Sequence, residues 1–75
     1  MLGHHRLNNP LLAMFAGPDG HEAITIPIGA VVDLTGKKFN GDRLMEVIWD
    51  GQVYLMFTED LKNTTVRVEN NTVPV

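Results

Sequence analysis

Leu44-Met45-Glu46-Val47-Ile48-Trp49-Asp50-Gly51-Gln52-Val53-Tyr54-Leu55-Met56-Phe57 is a pair of apolar runs joined by Asp-Gly. Asp-Gly in that position signals a type I′ hairpin, whose two central residues both need positive φ. Gly adopts that conformation freely, and Asp tolerates it. A two-residue connection also fixes the register. Trp49 then faces Gln52, Ile48 faces Val53, Val47 faces Tyr54, Glu46 faces Leu55, Met45 faces Met56 and Leu44 faces Phe57. Opposed residues share a face of the sheet. One face is Met45, Val47, Trp49, Gln52, Tyr54 and Met56; the other is Leu44, Glu46, Ile48, Val53, Leu55 and Phe57. A half-exposed antiparallel hairpin alternates apolar with polar. This one carries a single polar misfit on each face, Gln52 and Glu46. One face fills a core, and the other leaves large apolar side chains to be covered, by a second copy of the chain or by the N-terminal strand of the same chain.

The rest of the chain reads outward from this hairpin. Residues 1–9 have no periodicity and are expected to form a flexible tail. Leu11 to Ala16 is a short apolar strand, and Gly17-Pro18-Asp19-Gly20 is a turn, with Pro presetting φ and Gly supplying the left-handed position. The return strand, Glu22 to Ile28, alternates Ile24, Ile26 and Ile28 with Ala23, Thr25 and Pro27. Pro27 donates no ladder hydrogen bond, so it marks an edge or a strand end. Ala30 to Leu34 is a strand rich in β-branched residues, and Thr35 to Asp42 reads as a loop with Gly36 and Asn40-Gly41 as turn signals. Thr58-Glu59-Asp60-Leu61 reads as one helical turn capped by Thr58, with the two acids near its N-terminus. Thr64 to Val68 is a last strand, and residues 70–75 are a second flexible tail. No segment keeps a helical period for ten residues, so the chain is expected to be all-β. Five to six short strands around residues 10–69 would make one small barrel.

Composition narrows the function classes. With 75 residues the chain is a single domain, and a domain of this size buries only roughly 60% of its unfolded surface. It has no Cys, so disulfides do not staple it. Oligomerisation is the natural remaining source of buried area. The net charge is −3, with only six Lys and Arg. Nucleic-acid binding rests on basic side chains that neutralise phosphates, so nucleic acid and anionic membranes are not expected as the main partner. The N-terminus lacks the layout of a signal peptide, and the run after it is too short to span a bilayer. A soluble cytoplasmic protein is expected.

Ile26-Pro27-Ile28-Gly29-Ala30-Val31-Val32 is similar to the apolar-x-x-Gly-x-apolar entry into the second strand of SH3-like barrels. Thr35 to Asp42 falls where those barrels have the n-Src loop, Asp50-Gly51 at the distal hairpin, and Thr58 to Leu61 at the 3₁₀ turn before the last strand. The chain also resembles a group of short bacterial proteins of unassigned function, with an apolar-Pro-x-Gly segment and a Trp-x-Gly hairpin ending in Phe and Asp-Leu. The SH3 likeness implies a fold. It does not carry polyproline recognition, because the first strand, Leu11-Leu12-Ala13-Met14-Phe15-Ala16, has none of the groove tyrosines; the chain's single Tyr is Tyr54.

Motifs for chemistry are sparse. His4 and His5 are adjacent and so point to opposite faces of a strand, and His21 is remote. No spacing joins them into a metal site, and no cofactor is implied. Cys and Ser are both absent, and the threonines have no evident His and acid partners, so no catalytic nucleophile is assigned. Asp33 with Glu46, or Glu59 with Asp60, would do acid–base work only if desolvated and positioned; solvated charge is the plainer reading. Asn63-Thr64-Thr65 and Asn70-Asn71-Thr72 match glycosylation acceptors and, without a secretory signal, are read as chance.

The expected role is therefore a non-catalytic binding or structural module. It self-associates, a homodimer being favoured, or binds a protein partner through an apolar face of the central hairpin. Trp49, Tyr54, Leu55 and Phe57 are the expected anchors, with Ile48 and Val53 beside them. An alternative is an oligonucleotide-binding barrel that uses Lys37, Lys38, Phe39 and Arg43. A second is a small enzyme whose site forms only between subunits.

Overall fold

A computed structural model describes residues 2–15 and 22–68. The elements run β1 (Gly3–Leu7), β2 (Leu11–Phe15), β3 (Ala23–Ile26), β4 (Val31–Phe39), β5 (Leu44–Trp49), β6 (Gln52–Phe57), α1 (Thr58–Thr64) and β7 (Thr65–Arg67). Asp50 and Gly51 have φ of 52° and 76°, as a type I′ turn requires. All six expected cross-strand pairs form, from Trp49↔Gln52 at the turn to Leu44↔Phe57 at the open end.

The domain is all-β, built as one antiparallel sheet in the order β3-β2-β6-β5-β4-β1-β7. The sheet does not close, so β3 and β7 are its edges. The inner side chains of β1 to β6 nevertheless form one core: Leu7, Leu11, Ala13, Ile26, Val32, Leu34, Met45, Val47, Tyr54 and Met56, with Leu61 of α1. A seven-residue helix cannot cover a flat sheet of seven strands. The complete burial of Ile26 on an edge strand therefore requires the sheet to curl around its own inner face.

Five expectations are corrected. Gly3–Leu7, read as part of a flexible tail, is β1; it lies between β4 and β7 and buries His5 and Leu7 against Val32 and the core. The strand count is therefore seven among the described residues, not five to six. The region after Leu34, read as a loop, continues β4 to Phe39; a register shift between Leu34 and Lys38 absorbs Gly36 at φ 93°. The single 3₁₀ turn is instead the α-helix Thr58–Thr64. Burial of Leu61 in the core secures it, and the hydroxyls of Thr64 and Thr65 donate back to the Asp60 and Leu61 carbonyls at its end. Thr58 does not cap the helix; Phe57 is the N-cap residue, and the Thr58 hydroxyl donates to the Asp42 carbonyl at 2.6 Å.

β2 and β3 pair from Leu11↔Ile26 to Met14↔Ala23, so the first hairpin is present. Its expected Gly17-Pro18-Asp19-Gly20 turn lies outside the described residues, as does the C-terminal tail. Pro27 follows the last residue of β3, an edge strand, where its missing N–H costs nothing.

Candidate functional site

Strand alternation assigns the two faces of the β5–β6 hairpin. Met45, Val47, Tyr54 and Met56 are buried, and Trp49 is half-buried against them. Ile48, Val53 and Phe57 on the other face are 39%, 38% and 41% exposed. The six expected anchor residues are therefore not one surface. Ile48, Val53, Leu55 and Phe57 lie on the outer face, whereas Trp49 and Tyr54 belong to the inner one. Tyr54 packs between Trp49 and Phe15, with ring centroids 6.2 and 6.0 Å away.

A signal in the sequence could have settled this assignment. Gln52 adjoins the turn, where solvent reaches an inner-face position. Glu46 sits in mid-strand, where an inward carboxylate would be buried among apolar groups at high cost. A mid-strand charge therefore marks the outer face. Glu46 is half-buried there and accepts a 2.9 Å hydrogen bond from the Thr35 hydroxyl on β4.

The outer apolar surface extends beyond the hairpin. Phe57 is paired with Leu44, and Leu44 with Phe39 on β4. Continuing the β2–β6 register from Ala13↔Met56 brings Leu12 beside Phe57. In the next row, Met14 lies beside Leu55. Val53 and Ile48 form a third row that ends at Asp33, which in turn faces His4. The surface is thus apolar across β2 and β6 and at Leu44 and Ile48 of β5, with Phe39 of β4 at one corner; Glu46, paired with Leu55, is its one carboxylate, and the face turns polar at Thr35, Asp33 and His4. Leu12, Phe39, Ile48, Val53 and Phe57 are all exposed large hydrophobic residues. A large exposed apolar patch on a protein surface is the usual mark of an interface.

The other expected sites come apart. Asp33 lies 3.7 Å from the His4 ring, and Glu46 is held by Thr35, so these carboxylates are not a shared acid–base pair. Glu59 and Asp60 sit in the first turn of α1. His4 faces outward, while His5 is buried with its ring nitrogens 3.3 Å from the Leu2 carbonyl and 3.4 Å from the Thr65 hydroxyl. Among the described residues no group of three or more His, Cys, Asp or Glu could hold a metal ion. The basic set Lys37, Lys38, Phe39 and Arg43 is divided by β4, because Lys38 shares a face with Met45 and Phe39 shares the opposite face with Leu44. Among the described residues no helix is long and apolar enough to cross a membrane. Comparison with protein-family models, with curated proteins and with solved structures finds no match for the chain.

Proposed function

We propose that the protein is a non-catalytic binding module that self-associates by stacking the outer faces of two β5–β6 hairpins. The observation that carries this reading is the exposed apolar surface formed by Leu12, Phe39, Ile48, Val53 and Phe57, with half-buried Leu44 and Leu55 between them. Sheets stack face to face at about 10 Å through interdigitated side chains. A second copy supplies a surface of matching shape and chemistry by symmetry, as an isologous dimer requires. The gain is largest for a domain of this size, whose own core is small and has no disulfide. Leu55 is central to the patch, opposite Glu46, whose carboxylate keeps its hydrogen bond from Thr35. Ile48 and Val53 flank it toward the turn, and Phe57 and Leu12 flank it toward the open end. The SH3-like resemblance belongs to the same proposal, supported by the Asp50-Gly51 hairpin and by the helix before the last strand.

Sedimentation velocity over a range of micromolar concentrations tests the reading. A species of twice the 8.3 kDa chain mass is expected. A concentration-independent monomer overturns it.

A further inference from the structure

At the open end of the β5–β6 hairpin, the turn after β4 and the start of α1 border an open surface pocket of about 560 Å³. Small-molecule sites commonly fall in the range of about 300–1,000 Å³. Three cations from three different elements reach it: Lys38 of β4, Arg43 of the following turn and Lys62 of α1. They are half of the chain's six Lys and Arg, in a protein whose net charge is −3. Asp42 and Glu59 also line the pocket, which leaves it one positive charge in excess. Among the described residues the single ion pair within 4.0 Å is His4–Asp33, so none of these three cations is neutralised at contact distance. Buried Met45 and half-exposed Phe57 give the pocket an apolar wall.

The walls are tied to each other. Asn40, Gly41 and Asp42 have φ of 53°, 64° and 70°, three left-handed residues in succession, two of which carry side chains. Such a turn persists only where its surroundings determine it. Thr58 does so, since its hydroxyl donates to the Asp42 carbonyl at 2.6 Å and its backbone N–H donates to the Arg43 carbonyl at 2.9 Å. Leu61, fully buried, fixes the helix that carries Lys62. The cations are thus mounted on a scaffold anchored in the core, and less ordering is needed when a ligand binds.

We infer that this pocket binds a small organic monoanion with an apolar body, such as an aryl or alkyl carboxylate. Arg43, Lys38 and Lys62 take the anionic group, and Met45 and Phe57 take the body. The pocket is complete within one chain, and it shares one residue, Phe57, with the proposed self-association surface.

Amide chemical shifts during titration with three ligands of one body and different head groups test it: phenylacetate, 2-phenylethanol and 2-phenylethylammonium. Phenylacetate is expected to saturate in the millimolar range or below. Its shifts should be centred on Gly41 to Arg43 and Thr58 to Lys62, with binding at least tenfold tighter than for either of the others. Lys62→Met on the exposed helix surface should weaken phenylacetate at least fivefold. Arg67→Met on β7 removes the same charge away from the pocket and should leave binding unchanged. Equal responses to the three head groups, equal effects of the two substitutions, or no saturation by phenylacetate in the millimolar range each overturn the proposal.

Discussion

Ile48→Lys separates the outer face from the fold. Ile48 faces Val53 on β6 and Asp33 on β4, and its side chain takes no part in the buried core. A lysine there acquires a carboxylate as its cross-strand neighbour, an arrangement that supports antiparallel pairing. A glutamate would instead set two like charges side by side in the sheet. The monomer is therefore expected to keep its fold, within about 1 kcal/mol of the original stability. Association should suffer far more. Full burial of an Ile side chain is worth roughly 1.5–3 kcal/mol, and with 39% of Ile48 still exposed, about 1 kcal/mol per copy is forfeited at the interface. Desolvating an ammonium group in each copy adds at least a further 2 kcal/mol in total. Together these weaken dimerisation by about 4 kcal/mol, or roughly a thousandfold in Kd. Sedimentation velocity over a concentration series, with thermal unfolding in parallel, reads both quantities. The reasoning is refuted if Ile48→Lys dimerises like the unmodified chain, or if it loses its fold at concentrations where the unmodified chain is monomeric.

Three further substitutions probe the architecture. Met45→Ala empties a fully buried position of β5 and should cost about 2–5 kcal/mol, enough to leave a domain this small largely unfolded by circular dichroism. Gly51→Val places a β-branched residue at φ 76° in the type I′ turn; a loss of about 1–3 kcal/mol is expected, read as a lower urea midpoint with unchanged m. Thr58→Val removes the donor to the Asp42 carbonyl and should cost about 1 kcal/mol, with faster amide exchange in the turn from Asn40 to Arg43.

The hairpin and its register are readable from the sequence because Asp50-Gly51 permits one turn type and that turn permits one pairing. Of the two readings of Pro27, an edge or a strand end, the second is the one it marks, since β3 stops at Ile26. β1 is missed because the His5–Leu7 spacing looks polar until His5 is seen to point inward beneath Thr65, a partner sixty residues away. The helix is underestimated because Thr58 to Thr64 has little propensity of its own and forms around the burial of Leu61. The anchor set mixes two faces because the register separates them without saying which is core; Trp49 and Tyr54 turn inward and Ile48, Val53, Leu55 and Phe57 outward. Of the pocket's cations, Lys38 and Arg43 are grouped by the sequence, whereas Lys62 is brought to them only by the α1–turn contact through Thr58.

A second copy is proposed to cover the outer hairpin face. Isotope-filtered nuclear Overhauser spectroscopy on a mixture of labelled and unlabelled chains tests it most directly. Intermolecular contacts are expected among the methyl groups of Leu12, Ile48, Val53 and Leu55. Intermolecular contacts confined to other surfaces, or none at concentrations where the mass is twice 8.3 kDa, would contradict it.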